Sequence, residues 1–294
     1  MDLQEQRQQL ENHRKNLLKT NLILYSVATA GVILYLWSPL LGITLAAAAM
    51  LGVFLVVNPR FKAHRLNVKR TVVEANYAPY LTDVRYQYKE GISLDTIAES
   101  GLIWMKNSGK GYVGREHVTG FYKGRSFEQS DISLLRRQFA DEVAEKGRVE
   151  YVIGTMAIQD CGTPFAASIE LIHKGFLSPG ETERFLEQKH GFSLVQVGDD
   201  DLMKEYDIVS DNPEAAAAIL APHVTKRIRK LQEKARTPII VGIMDNKLMV
   251  ILKSRFVVDD YGPRRPIPEN LLTVKQLPEM QEFFDLADSL VPTK

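Results

Sequence analysis

The 294-residue sequence contains a single cysteine, Cys161. One thiol cannot form an intramolecular disulfide framework, and it cannot supply the paired cysteines of a structural zinc site. This scarcity agrees with a soluble part that faces a reducing compartment. The histidine nearest to Cys161 in sequence is His173, and no motif of a cysteine nucleophile surrounds the thiol. We therefore interpret Cys161 as a structural residue.

Motifs for metal and nucleotide binding are also missing. The histidines never occur at the H-x-x-x-H or H-E-x-x-H spacing of zinc enzymes; they are His13, His64, His117, His173, His190 and His223. The glycine-rich residues 109–111 lack the spacing of a phosphate-binding loop. The three aspartates at 199–201 are adjacent in sequence, and we interpret them as a solvated loop before a helix and not as a cation site. The sequence thus predicts no catalytic residue, no metal site and no cofactor.

An excess of charge of either sign is absent as well. The chain has 37 Lys and Arg against 36 Asp and Glu, which leaves a formal net charge of +1. Nucleic-acid-binding domains usually carry a strong basic excess, because they neutralise phosphates. We therefore expect no nucleic-acid partner.

The most informative absence is that of any charge between Lys19 and Arg60. A membrane crossing needs about 20 apolar helical residues, and residues 20–59 provide enough for two. Ser38 and Pro39 interrupt the stretch near its middle. We predict a transmembrane helical hairpin with helices at about 21–37 and 40–57. A cleaved signal peptide is the alternative, but it has one shorter apolar run.

Basic residues flank the hairpin on both sides, and its turn carries no charge. The positive-inside rule then predicts that both termini lie in the cytoplasm, at a bacterial inner membrane. The juxtamembrane basic residues after the hairpin are Arg60, Lys62, Arg65, Lys69 and Arg70. Small residues four apart in the second helix favour close packing on the first helix; the pairs are Gly42 with Ala46 and Ala48 with Gly52.

The remaining sequence predicts three further regions. Residues 1–19 form a polar helical N-terminus in which Leu3, Leu10 and Leu17 recur every seven residues. This spacing indicates a cytoplasmic extension of the first membrane helix or a short coiled coil. Residues 60–75 form a basic juxtamembrane segment. Residues 76–294 form a soluble domain, either undivided or split into two subdomains near 175–205.

The soluble region combines hairpin and helix signals, which predict an α+β fold. Turn residues at 123–124 and 245–246 each separate two apolar strand patterns. Helices are predicted after Pro213, over 224–235 and after Pro278. The 224–235 helix has an apolar stripe and a basic face of Lys226, Arg227, Arg229 and Lys230. This face is either an ordinary solvated surface or a contact for anionic lipid or an acidic partner.

Two sequence blocks resemble a known family. One block spans residues 111–132, with the turn at 123–124, and the other runs from residues 206–215 through 245–248 to the terminal helix. Together with the N-terminal hairpin, they are similar to bacterial membrane proteins grouped as domain of unknown function 3137. The resemblance implies the fold of most of the chain. It implies no activity, cofactor or site residue.

We therefore predict a membrane-anchored cytoplasmic module that acts by interaction or assembly and is not an enzyme. Its expected partners are the lipid bilayer and either another protein or a second copy of itself. Two alternatives remain: a membrane-tethered, hydrolase-like enzyme with an unrecognised site, and a lipid-handling domain at the inner leaflet. A polar pocket would favour the enzyme, and an exposed apolar patch would favour the interaction module.

Overall fold

The computed structural model describes residues 3–103, 112–137, 149–176, 189, 191–253, 265–268 and 277–291. The chain forms two compact units. The first unit comprises Met1–Pro79 together with Val258–Lys275, and the second comprises Tyr80–Val257 together with Gln276–Lys294. A late segment of the sequence thus belongs to the same unit as the N-terminal helices.

The first unit is built from long helices. Helix α1 spans Leu3–Tyr35, α2 spans Pro39–Gly52, a π-helical turn follows at Val53–Val57, and α3 spans Asn58–Tyr77. The helices Leu3–Tyr35 and Pro39–Tyr77 are both long and apolar enough to cross a membrane. The predicted break lies at the turn before Pro39, and the basic residues after 59 continue the second helix as α3.

The π-helical turn has a local cause in Pro59. Proline has no N–H, so the carbonyl four residues earlier loses its usual helical donor. At this point the N–H of Asn58 bonds the carbonyl of Val53, five residues back. The extra residue in this turn shifts the helix face that follows it.

Helices α1 and α2 approach each other through two glycines. A Cβ added at Gly42 would lie 2.4 Å from the main-chain nitrogen of Tyr35, and one at Gly31 would lie 2.7 Å from that of Ala46. Gly42 and Ala46 therefore lie at the helix contact, as predicted. The prediction for Ala48 is wrong, because its side chain is exposed.

The second unit contains a nine-stranded sheet in the part of the chain that the structure describes. The strands are β1 Thr82–Gln87, β2 Tyr112–Tyr122, β3 Arg125–Arg137, β4 Val149–Asp160, β5 Ile169–His173, β6 Ser193–Leu194, β7 Tyr206–Ser210, β8 Ile239–Met244 and β9 Lys247–Leu252. The helices are α4 Leu94–Ser100, α5 Asp200–Glu205, α6 Pro213–Ile219, α7 Pro222–Ala235 and α8 Pro278–Leu290.

Neighbouring strands are antiparallel, in the spatial order β1-β2-β3-β4-β9-β8-β5-β7-β6. Both predicted hairpins are confirmed. Lys123 and Gly124 have φ of 49° and 78°, and Asp245 has φ of 52°. Such positive values match the tight turns whose twist suits antiparallel strands. Strand β9 pairs with β4, and this joins the two hairpins into one sheet.

Both faces of the sheet are covered. On one face, Ile97 of α4 and Leu102 belong to a buried cluster with Met156, Ile172 and Ile251. Gly242 on β8 leaves room for the side chain of Leu102, because an added Cβ would lie 2.7 Å from a Leu102 methyl carbon.

Aromatic contacts hold α8 onto the second and third strands. The ring of Phe284 lies 4.2 Å from that of Tyr122 and 5.2 Å from that of Phe127, between centroids. Asp288 on the same helix accepts hydrogen bonds from the Tyr122 hydroxyl and the Lys123 ammonium, both at 2.7 Å.

The predicted α+β class is confirmed: helices long enough to cross a membrane are followed by an antiparallel sheet with packed helices. The division of the soluble region into subdomains near 175–205 stays a prediction.

Candidate juxtamembrane site

The part of α1 that precedes the uncharged stretch packs on α3 through a heptad stripe. Leu3 and Leu10 contact a cluster formed by Val68, Val72 and Ile267. Leu17, the third leucine of the repeat, is 4% exposed. The seven-residue spacing of these leucines therefore reflects the packing of α1 on α3 within one chain. This packed segment is a helical extension beyond the apolar hairpin.

A buried ion pair lies within this helical extension. The guanidinium of Arg14 donates to both carboxylate oxygens of Glu11, over 2.8 Å and 2.5 Å. The two residues are 7% and 8% exposed. The Arg14 guanidinium lowers the pKa of Glu11 to about 2, although burial acts in the opposite direction. A two-pronged pair of this kind fixes both side chains and keeps the carboxylate ionised.

The late segment 265–268 is held against α1 by charged side chains. The N–H of Ile267 donates to a Glu11 carboxylate oxygen over 3.2 Å, and the carbonyl of Ile267 accepts from Arg7 over 3.4 Å. The Ile267 side chain is 4% exposed and packs on α3. Arg7 and Glu11 are four residues apart, so both lie on one helix face and both can bond the main chain of Ile267. We call residues 265–268 the strap.

A groove runs along the same helix pair. We call the part farther from the uncharged stretch the outer part and the part next to it the inner part. The outer part has a volume of about 660 Å³ and is lined by Leu3, Gln6, Gln9, Leu10, His13, Asn67, Thr71, Glu74, Ala75 and Ala78. The inner part has a volume of about 400 Å³ and is lined by His13, Asn16, Leu17, Thr20, Arg60, Ala63 and Asn67. His13 and Asn67 line both parts. Polar and charged side chains thus share the groove with leucine and alanine side chains.

A buried histidine lies beside this groove. His64 is 1% exposed, and its ring centroid is 5.4 Å from that of His13. Its Nδ1 atom has no hydrogen-bond partner among the residues described. Burial lowers the pKa of His64, and the nearby His13 and Arg14 lower it further. The ring is therefore neutral at pH 7 and fills the helix contact as a largely apolar group.

The juxtamembrane basic residues do not act as one cluster. Arg60 lines the inner part of the groove, whereas Lys62, Arg65 and Arg70 are exposed along α3 and Lys69 is half-buried. Arg60 thus differs from the other four in lining the groove.

The predicted basic face of α7 is divided by the fold. Arg227 donates to Asp285 and Glu282 of α8 over 2.8 Å and 3.3 Å. Arg229 pairs with Asp199 over 3.3 Å and lies 3.8 Å from Asp201. Lys226 and Lys230 have no ion pair within the described ranges, and Lys226 is exposed. The lipid or partner contact of this face stays a prediction, and two of its four cations already have acidic partners.

The structure assigns ordinary structural roles to the other sequence candidates. Cys161 is 2% exposed, and burial raises the pKa of its thiol to about 11, so the nucleophilic thiolate is disfavoured at neutral pH. Asp199 caps α5 by accepting from the N–H of Leu202 over 3.0 Å. Among the residues described, no three His, Cys, Asp or Glu side chains come together in a group that could hold a metal ion.

Two buried carboxylates of the sheet were not singled out by the sequence. Glu170 on β5 is 1% exposed and accepts from Lys189 over 2.6 Å; burial raises the pKa of this carboxyl, although Lys189 opposes the shift. Glu116 accepts from the hydroxyl of the buried Tyr86. Each carboxylate has a bonded neighbour inside the fold, which is what burial of an acid requires.

Sequence reasoning also missed the central residues of the juxtamembrane site. Glu11 and Arg14 look like ordinary polar residues of a charged helix, and Ile267 lies in a proline-rich loop. The one available signal was their position on the heptad stripe: Arg14 lies four residues after Leu10 and three before Leu17. A charged residue at a core position of such a stripe is a departure that indicates a specific partner.

Comparison with known proteins agrees with the resemblance drawn from the sequence. Residues 153–290 match the family model described as "Protein of unknown function (DUF3137)". The family resemblance is therefore confirmed over these residues, which include the second of the two sequence blocks. No curated protein sequence matches the chain.

One solved structure is similar to this chain at low identity. It is the crystal structure of the mycobacterial trehalose monomycolate transport factor A, TtfA, with 15% identity and a TM-score of 0.41. The match covers 77% of this chain and 97% of that chain.

Proposed function

We propose that this chain, whose residues 153–290 match a family of unknown function, is a membrane-anchored interaction module and not an enzyme. The proposed location is a bacterial inner membrane, with the hairpin inserted and both termini in the cytoplasm. The membrane-tethered enzyme and the lipid-handling domain are the competing proposals.

The exposed apolar surface of the hairpin carries the membrane anchoring in this proposal. Among the described residues, the large hydrophobic side chains that are exposed lie between Leu22 and Val56, apart from Val113, Phe121 and Leu194. Trp37 is 86% exposed, Leu40 is 77% exposed and Phe54 is 69% exposed. A contiguous apolar surface of this extent is unfavourable in water and is expected to be covered by lipid.

The charge distribution supports the proposed orientation. Cytoplasmic loops of membrane proteins are enriched in Lys and Arg. Basic residues occur on both sides of residues 20–59, and none occurs in the turn before Pro39. The orientation with both termini in the cytoplasm therefore satisfies this rule for both flanks of the hairpin.

The outer part of the groove supports the interaction role. It is lined by the apolar side chains of Leu3, Leu10 and Ala75 together with amide groups such as those of Gln6 and Gln9. Grooves between helices with this character commonly receive an amphipathic helix from a partner. The partner in this proposal is a protein segment or a second copy of the chain.

Topology is tested with single cysteines in a Cys161→Ala background. A Trp37→Cys variant places a thiol in the turn, and a Glu233→Cys variant places one on the exposed surface of α7. A membrane-impermeant maleimide should label the first variant in intact cells and the second only after lysis. External labelling of Glu233→Cys, or release of the protein from membranes by alkaline washing, would overturn the proposal.

The interaction role is tested by photo-crosslinking in cells. A photoreactive amino acid at position 9 lies in the outer part of the groove, and the same residue at position 4 lies on an exposed face of α1 outside the lining. We expect a discrete adduct from position 9 and none from position 4. Equal crosslinking from both positions would show that the groove has no preferred partner.

A further inference from the structure

The inner part of the groove lies at the boundary of the apolar hairpin. Thr20 and Arg60 line this cavity of about 400 Å³, and they stand at the two ends of the uncharged stretch, Thr20 as its first residue and Arg60 as the residue after its last. If the hairpin crosses the membrane as proposed above, both residues lie at the level of the lipid headgroups. The cavity is therefore placed where a headgroup, and not a soluble protein, is the nearest neighbour.

The cavity is rich in hydrogen-bond donors and has no acid in its lining. Its polar groups are the Arg60 guanidinium, the amides of Asn16 and Asn67 and the imidazole of His13, together with the Thr20 hydroxyl. Thr20 donates to the main-chain carbonyl of Asn16 over 3.0 Å. Within the described ranges, the side chains of Arg60, Asn16 and Asn67 have no hydrogen bond or ion pair. These three side chains are exposed in the groove, so their donors can pair with an anion that has several acceptor oxygens.

The acidic side chains of this region, Glu11 and Glu74, do not line the inner part of the groove. Glu11 is bound by Arg14 and by the N–H of Ile267, and Glu74 lines the outer part of the groove and not the inner part. The guanidinium of Arg60 therefore has no carboxylate beside it in the cavity lining. This arrangement differs from α7, where Arg227 and Arg229 each have acidic partners.

Apolar side chains line the cavity and also follow it in the hairpin. Leu17 and Ala63 form the walls of the cavity. Ile23, three residues after Thr20, is 53% exposed, and Val56, four residues before Arg60, is 40% exposed. A ligand whose anionic group reaches Arg60 would thus place any attached hydrocarbon on an apolar helix surface.

We propose that this cavity binds the phosphate diester headgroup of an anionic phospholipid from the cytoplasmic leaflet. Arg60 pairs with the phosphate, the Asn16 and Asn67 amides donate to its oxygens or to the glycerol hydroxyls, and the acyl chains run along the hairpin. Basic pockets beside membrane helices on the cytoplasmic side are known to bind such headgroups. The proposal rests on the membrane insertion proposed above, and it adds a defined ligand class.

The experiment measures lipid binding to the full-length protein in neutral detergent, by native mass spectrometry and by the thermal shift on lipid addition. The probes are phosphatidylglycerol, phosphatidylcholine with the same acyl chains, and soluble glycerol 3-phosphate. The variants are Arg60→Gln, which removes the cation, and Ala63→Phe, which fills the cavity at an exposed position without changing charge. Lys62→Gln is the matched control, since Lys62 is an exposed cation of α3 outside the lining.

We expect the wild type to bind phosphatidylglycerol more tightly than phosphatidylcholine. Arg60→Gln should weaken phosphatidylglycerol binding about fivefold, which corresponds to about 1 kcal/mol for one basic residue at a lipid surface. Ala63→Phe should abolish the preference, and Lys62→Gln should change it less than twofold. All variants should keep the lipid-free melting temperature of the wild type.

Three results would overturn the proposal. Equal losses in Arg60→Gln and Lys62→Gln would indicate general surface charge. Unchanged binding in both Arg60→Gln and Ala63→Phe would exclude the cavity. Binding of glycerol 3-phosphate as tight as that of the lipid would assign the cavity to a soluble phosphate. None of these results affects the outcome of the topology test. Failure of membrane insertion would be detected by the cysteine-labelling experiment and not by the lipid-binding experiment.

Discussion

The main-chain N–H of Ile267 donates a hydrogen bond to the carboxylate of Glu11, 256 positions earlier in the chain, over 3.2 Å. The same carboxylate is held by Arg14, and Arg7 binds the carbonyl of Ile267. Both polar groups of a buried backbone unit are thus satisfied by side chains of α1. This contact places the strap in the same compact unit as the helices.

The first prediction concerns pH and Glu11. Its folded-state pKa of about 2 lies below the ordinary value of 4.5, so its ionised form stabilises the fold above the ordinary pKa. This stabilisation is lost as the pH falls through the folded-state value. The shift from 4.5 to about 2 corresponds to at most about 3–4 kcal/mol. A Glu11→Gln variant can still accept from Ile267 but cannot pair as an ion with Arg14.

The melting temperature of Glu11→Gln in detergent should therefore lie below that of the wild type at pH 7. The difference should stay constant down to about pH 5 and narrow between the ordinary pKa of 4.5 and the folded-state pKa of about 2, because the unfolded wild type takes up a proton on Glu11 in that range while the folded protein still holds the charged form. Glu5→Gln, on an exposed position of the same helix, is the control and should change little at any pH. A difference that persists on acidification would contradict the assignment.

The second prediction concerns the helix contact in the hairpin. Gly42→Ala places a methyl group against the backbone of Tyr35 and should cost about 1–3 kcal/mol through overpacking. Gly52→Ala is the matched change on the same helix, because its Cβ would meet only the flexible Leu24 side chain, at 3.4 Å. Thermal unfolding in detergent should separate the two variants. Equal stability would argue against the close approach of α1 and α2.

The third prediction concerns the buried stripe of α7. Ile228 is completely buried, and truncation of such a side chain typically costs 2–5 kcal/mol. Ile228→Ala should therefore lower the unfolding temperature of the soluble region clearly. Lys226→Ala, on the exposed side of the same helix, should stay within about 0.5 kcal/mol of the wild type. A neutral Ile228→Ala would mean that this helix does not pack as described.

The fourth prediction concerns Cys161. With its pKa raised from 9.0 to about 11, the thiol forms about a hundredfold less thiolate near neutral pH than an ordinary cysteine. A thiol reagent should react with it slowly in the native protein and rapidly in denaturant. The comparison is Glu233→Cys in a Cys161→Ala background, which should react at a normal rate in both states. Fast native labelling of Cys161 would reopen the hypothesis of a reactive cysteine.

Secondary structure and fold class were predictable because their signals are local. The turn at Lys123 and Gly124 needs positive φ, and the sequence supplies residues that tolerate it. The order of strands was not predictable, since β9 pairs with β4 across a long separation in sequence. The residues of neither strand specify which strand it pairs with. Charge partners were equally hidden: Arg227 and Arg229 look solvent-facing on a helical wheel, yet each faces acids from another element.

The uncharged stretch, its basic flanks, the helical and strand periods and the turns can all be read from the sequence, because each depends on residues close together in the chain. Which residues share a site depends on the folded chain. Folding brought Ile267 to Glu11, left Arg60 in a cavity without an acid and gave Arg227 its acidic partners. Burial and electrostatic pairing depend on distance in space, and residues far apart in sequence become neighbours only when the chain has folded.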